Sequence, residues 1–244
     1  MSQTIHRAIS IIEFVSERAR TLNEIAFHLD VHRSTALRQL QTLKEGRFIL
    51  RRSDGRFAVG TRLIAIAQQA LEGLDLRQIA SPHLRALQGE VGHTIHLAQL
   101  MGDEIIYIDK VDGTASVRMY SRIGKPASPN ASGVGKVILA QLSPARREAL
   151  LQEVEWFAHT PNTHTSVDTL TADLDRIKER GWGLDDGEFE EFVNCIAVPV
   201  SNSTGDVIAG ISITSIKVIA SLNDLHKFMP SLQQAAHAIS RELG

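Results

Sequence analysis

Cysteine is nearly absent from the 244-residue chain. Cys195 stands alone, so no disulfide can close within the chain, and a reducing compartment is the expectation. Long apolar runs are missing too: no stretch approaches the roughly 20 apolar residues that span a bilayer. The amino terminus, MSQTIHRAISIIEFVSERAR, carries charge throughout and has no apolar core, so it does not read as a secretory leader. These absences predict a cytoplasmic protein with no membrane partner. No repeat and no low-complexity segment interrupts the sequence.

A large net charge is also absent, since 26 Lys and Arg stand against 28 Asp and Glu. The charge is unevenly divided, however. Residues 1–60 carry a net +4 and the remainder a net −6. From Arg33 to Arg56 there are seven positive side chains and two acids. A basic segment on an acidic body is expected where one domain meets a polyanion and the other does not.

In IHRAISIIEFV, the residues Ile5, Ala8, Ile9, Ile12 and Val15 recur at helical steps and predict one buried face. TLNEIAFHL follows, with Thr21 and Glu24 spaced as a capping box and Leu22, Ile25, Ala26 and Leu29 as its apolar side. A third helix, STALRQLQTLKEG, turns Ala36, Leu37, Leu40 and Leu43 inward and stops at Gly46. RFILRRSDGRFAVG then reads as two short strands around Ser53–Asp54–Gly55.

Three helices and a hairpin predict a winged helix-turn-helix over 1–60, whose third helix lies in the DNA major groove. Arg33, Ser34, Thr35, Arg38 and Gln39 are then the candidates to read bases, and Arg51, Arg52 and Arg56 to hold phosphates beside them. Residues 61–76 read as a linker helix whose apolar side (Leu63, Ile66, Ala67, Ala70, Leu71, Leu74) predicts a partner subunit. A dimer would give each copy one half-site of a palindromic operator.

Residues 77–244 read as an α+β domain with an antiparallel sheet. HTIHLAQLMGDEIIYIDKVDGTASVRMY predicts three strands, and CIAVPVSNSTGDVIAGISIT a further hairpin. GVGKVILAQL, PARREALLQEV and VDTLTADLDRIKERG predict helices between them, and LNDLHKFMPSLQQAAHAISREL one last helix. Catalytic readings are weak throughout. SGVGK lacks the spacing of a P-loop and reads as a loop entering a helix, able to hold a carboxylate on free N–H groups. His93 and His96 would point to opposite faces of a strand, which argues against a metal site. Cys195 opens an apolar strand and reads as a buried thiol, while DDGEFEE reads as a solvated acidic loop. No nucleophile, base and oxyanion hole assemble, so a binding domain, not an enzyme, is expected, with no cofactor.

The segments STALRQLQTLKEG, RFAVG, HTIHLAQLMGDEIIYIDKV, ASGVGKVILAQL, THTSVDTLTADLDRIKERGWGLDDGEFEEFVNCIAVPV and VIAGISIT together resemble the IclR (isocitrate lyase regulator) family of bacterial transcription factors. The resemblance runs from about Ile5 to Glu242. It implies a winged helix, a linker helix and a GAF-like effector domain, assembled as a dimer or dimer of dimers and acting as a repressor. The implied effector is a small organic acid: a sugar acid, a keto acid or an aromatic acid. RMYSRIG is similar to regulators sensing 2-keto-3-deoxygluconate. On the matching positions, Met119, Gly133, Val134, Asp185, Cys195, Ser212 and Thr214 would line the effector pocket. The sequence departs from the pattern at Asn130, where relatives often carry His, and at Phe192 and Asn194, where Gly and Arg are common.

Overall fold

A computed structural model describes residues 3–72, 75–114, 119 and 121–243. The chain divides into two compact units, Met1–Leu74 and Asp75–Gly244. Among the described residues, no helix is long and apolar enough to cross a membrane.

In the first unit, α1 (Gln3–Glu17), α2 (Leu22–His28) and α3 (Arg33–Glu45) precede the antiparallel pair β1 (Ile49–Arg51) and β2 (Phe57–Val59), and α4 (Thr61–Glu72) follows. Thr21 and Glu24 do form the capping box, which sets where α2 begins. Ile11, Val15, Ile25, Leu40, Ile49 and Phe57 form the core. Two expectations of burial fail. Ile5 and Ile9 are 61% and 51% exposed, because α1 presents Ile11 and Val15 to the core instead. Leu37 is 40% exposed, since α3 buries Ala36 and Leu40. Gly46 caps α3 in a helical conformation, and the left-handed turn falls on Arg47 (φ +59°). At the wing tip Gly55 takes φ +81°, a conformation that favours glycine. Arg20 joins the wing to the helices: its N–H and C=O exchange hydrogen bonds with Phe57, and its guanidinium lies over the Phe14 ring.

The second unit opens with α5 (Asp75–Val91), which begins two residues earlier than expected and runs through Pro82 without a break. A five-stranded antiparallel sheet follows, in the order β4–β3–β7–β6–β5. Its strands are β3 (Thr94–Met101), β4 (Glu104–Val111), β5 (Gly183–Asp186), β6 (Val193–Ser201) and β7 (Val207–Ile216). The third strand expected after β4 falls on residues 115–118 and 120, outside the described set. β5 is an addition to the expected strands, because its short sequence GLDD has no run of alternating apolar residues.

The sheet register decides which side chains meet. Asp185, Cys195, Thr214 and Thr94 lie in one cross-strand row, and Gly183, Ala197, Ser212 and His96 in the next on the same face. Helix α6 (Gly133–Gln141) packs on that face, backed by α8 (Val167–Arg180), while α7 (Pro144–Gln152) adds Leu150 and Leu151 to the same core. The opposite face, with Ile95, Ile196 and Ile213, is covered by α5 and α10 (Met229–Glu242). The single last helix expected is two, α9 (Leu222–His226) and α10, because Pro230 favours the first turn of a new helix.

Candidate DNA-reading surface and ligand cavity

Helix α3 starts at the His32 cap, whose Nδ1 lies 2.9 Å from Ser34 Oγ. Arg33, Ser34 and Arg38 are exposed along its first two turns. Thr35 and Gln39 are half-buried, and Gln39 Oε1 is a buried atom without a protein partner. On the wing, Arg51 and Arg52 are exposed. Arg56 is partly engaged: its Nη1 donates to the Ala19 carbonyl at 3.5 Å and its Nε lies 3.8 Å from Asp54. The structure thus brings Arg33, Ser34, Arg38, Arg51 and Arg52 to the surface of one small unit and ties Arg56 partly inward.

In the second unit, α6 stands over the sheet face just described and leaves a small cavity of about 50 Å³ that opens to solvent. All seven positions that the resemblance implied line it: Met119, Gly133, Val134, Asp185, Cys195, Ser212 and Thr214. Gly133 is what lets the helix approach so closely. A Cβ there would lie 2.5 Å from Cys195 Sγ and 3.2 Å from Ala197 Cβ. Ser132 caps α6 through the Gly135 N–H; the N–H groups of Gly133 and Val134 have no acceptor within the helix, and both residues line the cavity.

The rest of the wall is polar. His96 belongs to this wall as a hydrogen-bonding group: its Nδ1 is 3.1 Å from Thr214 Oγ1, its Nε2 2.7 Å from Ser121 Oγ. Burial, helped by the charge of Lys110, depresses its pKa to about 3, so it is a neutral donor–acceptor. Tyr107, whose ring lies tilted beside that of His96 with centroids 5.3 Å apart, is kept protonated by burial and by its neighbours Cys195 and Asp185. Burial pushes the Cys195 thiol up to about 12, which excludes a thiolate nucleophile at neutral pH. Ser128, Lys125 and Glu190 complete the polar lining, with Phe189, Val193 and Pro126 supplying the apolar part. Periodicity has no means of flagging Tyr107 or Ser121, and His96 meets Thr214, 118 residues on, only through the pairing of β3 with β7.

The acidic segment after β5 is not a solvated loop. Asp185 and Glu188 are buried, and Asp185 Oδ1 accepts the Glu188 N–H at 2.6 Å. Glu188 in turn meets Lys136, whose ammonium is wholly buried, 2.6 Å from Glu188 Oε1 and 2.9 Å from Asp173 Oδ2. His164 Nε2 lies 3.5 Å from the same Asp173 oxygen, and Arg176 reaches its other oxygen at 3.2 Å. His164, Asp173 and Glu188 are close enough to share one cation, and the Lys136 ammonium supplies it. Burial raises the Asp173 carboxyl, but hydrogen bonds from His164 and the charge of Lys136 outweigh it and hold the group well below the carboxylate range. Glu188 is raised by burial, which Lys136 only partly offsets. Burial and the charge of Glu188 raise Asp185 to about 7. A strap from residues 160–163 holds the same wall: Thr160 donates to the Gly187 carbonyl at 2.6 Å, Asn162 to Asp186 at 2.8 Å and Thr163 to Glu188 at 2.5 Å.

The three departures from the family pattern lie outside the cavity lining. Phe192 is 53% exposed; Asn130 anchors the approach to α6 through the His164 carbonyl, and Asn194 donates to the Ala220 carbonyl.

Comparison with known proteins agrees over the whole chain. The IclR helix-turn-helix domain matches residues 4–53, and the C-terminal domain of bacterial transcriptional regulator IclR matches residues 68–241. The HTH-type transcriptional regulator XynR of Escherichia coli is 34% identical, covering 99% of this chain and 97% of that protein. The crystal structure of Thermotoga maritima IclR superposes with a TM-score of 0.84 at 32% identity, covering 99% of this chain and 98% of that one. An IclR homologue from Microbacterium hydrocarbonoxydans, solved in complex with 4-hydroxybenzoate, gives the same TM-score at 26% identity, with 98% of each chain covered. With its winged helix and its helix-roofed cavity on an antiparallel sheet, the chain belongs to the IclR family of DNA-binding bacterial transcriptional regulators.

Proposed function

We propose that this protein is a cytoplasmic repressor whose operator affinity is set by a small organic acid bound under α6. The observation that carries the reading is the partly open cavity that α6 roofs, lined by Gly133 and Val134, whose N–H groups have no acceptor within the helix. A helix N-terminus favours a carboxylate. The side chains opposite, Ser212, Thr214, Tyr107 and neutral His96, each donate or accept. His96 already pairs with Thr214 and Ser121, and Ser212 with His96 and Thr214, so a ligand hydroxyl would exchange with or extend those bonds. A polyhydroxylated monocarboxylate offers donors and acceptors to this polar network, and a sugar acid is the ligand class we favour. Met119 and Phe189 supply the apolar wall beside it.

On the DNA side, α3 enters the major groove with Arg33, Ser34 and Arg38 leading, while Thr35 and Gln39 support them from a half-buried position. Arg51, Arg52 and, more weakly, Arg56 meet the phosphates beside it. The apolar side chains Ile5, Ile9, Ile64 and Ile66, exposed in the single chain, favour a homodimer or dimer of dimers on a palindromic operator. A ligand that binds one arrangement of that dimer better than the other shifts operator affinity by the difference, and a groove-bound dimer represses by occupying promoter DNA.

Fluorescence anisotropy on DNA from upstream of the protein's own gene tests this, over a salt series, with D-gluconate, D-galactonate and 4-hydroxybenzoate. Saturable, sequence-preferring binding released by a sugar acid is the expected result. Salt-steep binding to all DNA alike, unaffected by any acid, would overturn it in favour of an architectural DNA binder.

A further inference from the structure

Asp185 sits where a ligand carboxylate makes it a problem. It is 5% exposed and pairs across β5 and β6 with Cys195. The first turn of α6 stands directly over that pair: a Cβ on Gly133 would lie 2.5 Å from Cys195 Sγ and 3.8 Å from the Leu184 carbonyl carbon, one bond from Asp185. A carboxylate drawn to the Gly133 and Val134 N–H groups therefore shares a small, poorly solvated space with the carboxyl of Asp185. Two ionised carboxylates in one such cavity repel each other, and a cation or a shared proton relieves them.

The buried charges nearby do not supply that cation. From α6, Lys136 is already bound to Asp173 of α8 and to Glu188, with His164 and Arg176 around the same two acids. From its own loop, Asp185 faces the negative charge of Glu188, and Glu190 lines the same cavity. Cys195 of β6, Tyr107 of β4 and His96 of β3 are all neutral near pH 7. Lys125 lines the cavity from the segment after β4 but is exposed, so water screens its charge from the buried Asp185 carboxyl. The remaining solution is a proton. Burial and Glu188 have already brought the Asp185 carboxyl to about 7, so loading that proton near neutrality costs little.

We propose that Asp185 selects the charge of the ligand by binding a monocarboxylate as the neutral acid and donating its proton to a ligand oxygen. The carboxyl keeps the backbone N–H groups of Glu188 and Phe189 as donors to it, and the proton sits on the oxygen other than Oδ1. Wherever Asp185 is ionised in the free protein, each binding event takes one proton from solvent onto it, and no other bond changes. The inference rests on reading the cavity as a carboxylate site.

Isothermal titration calorimetry of the full-length protein with D-gluconate, D-galactonate and 4-hydroxybenzoate tests it, from pH 6 to 8.5. At pH 8 the titration is repeated in phosphate and in Tris, whose ionisation heats differ. Affinity should fall about tenfold per pH unit above roughly pH 7 and level off below it. The two buffers should give different heats, corresponding to uptake of nearly one proton. Asp185→Asn keeps an oxygen for the Glu188 N–H and presents a permanent donor, so its affinity should not change with pH and its heats should not depend on buffer. Binding to the unaltered protein with equal heats in both buffers and a flat pH profile overturns the proposal and leaves the cavity as the ligand site. No heat from any of the three acids at any pH overturns the carboxylate reading itself. If Asp185→Asn fails to fold, the buffer pair on the unaltered protein decides alone.

Discussion

Lys136 and Glu188 form an ion pair, Nζ to Oε1 2.6 Å, in which the ammonium has no exposure to solvent at all. Lys136 lies three residues after Gly133, so one helix faces two ways. Its first turn offers N–H groups to the cavity, and the next sends a cation back into the loop that forms the cavity's far wall. Glu188 relays that hold to Asp185 through its own N–H. The two faces of α6 therefore act on the same ligand wall, one directly and one through the loop.

Replacing the cation tests that arrangement. Lys136→Met keeps the length of the side chain and removes its charge, leaving Asp173 and Glu188 buried against each other. Stability should fall by about 3–5 kcal/mol, the range for breaking a buried pair on one side. Urea unfolding followed by circular dichroism measures this. A loss below about 1 kcal/mol would mean that water already compensates the two carboxylates.

Much of this arrangement is legible in the sequence, and the failures have physical causes. The capping box at Thr21–Glu24 and the wing at Gly55 are local signals and read correctly. The rotation of α1 that exposes Ile5 and Ile9 is set by what the helix packs against, which periodicity alone does not show. DDGEFEE looks solvated because a run of acids normally is, and the cation that buries Glu188 comes from Lys136, 52 residues earlier. His96 is visible only as half of a weak metal motif. Its partner Thr214, 118 residues on, emerges only once β3 and β7 are paired.

Asp185 gives a pH dependence of stability with a definite sign. Its carboxyl is raised from an ordinary 3.8 to about 7 on folding. The folded state thus holds a proton that the unfolded state releases between those values. Stability from this group is complete below about pH 4, declines as pH rises, and is gone above about pH 7. Asp185→Asn cannot ionise, so its unfolding free energy should match that of the unaltered protein near pH 4 and exceed it by about 2–4 kcal/mol at pH 8. Comparing the two proteins at each pH cancels every other titrating group. A constant difference across the range would show that Asp185 keeps an ordinary pKa.

The arginines of the first unit should separate by role. Arg38→Ala removes an exposed side chain on α3 and should weaken operator binding by about 1–3 kcal/mol while relaxing sequence choice. Arg51→Ala and Arg52→Ala should weaken binding to all DNA alike and flatten the salt dependence by roughly one unit of slope for each phosphate no longer neutralised. Arg56→Ala should do less, because Ala19 and Asp54 already hold its guanidinium. Anisotropy titrations on operator and random DNA at three salt concentrations read both quantities. An equal loss of slope and specificity from all four changes would refute the division.

Gly133→Ala is the sharpest test of the cavity roof. The added Cβ falls 2.5 Å from Cys195 Sγ, about 1 Å inside ordinary contact. The sulfur sits on a paired central strand and has nowhere to go, so the first turn of α6 must lift away from the sheet. The Gly133 and Val134 N–H groups then move off the position where a carboxylate would sit. Operator affinity without ligand should stay within twofold of the unaltered protein, since the first unit forms its own core. Ligand affinity, read by calorimetry with D-gluconate, should fall at least tenfold. Gly133→Ala combined with Cys195→Ala removes the sulfur that the new methyl meets and should recover most of that loss, measured against Cys195→Ala alone because Cys195 itself lines the cavity. Failure of the double change to recover binding would place the defect in the backbone of the α6 cap rather than in the clash with the sulfur.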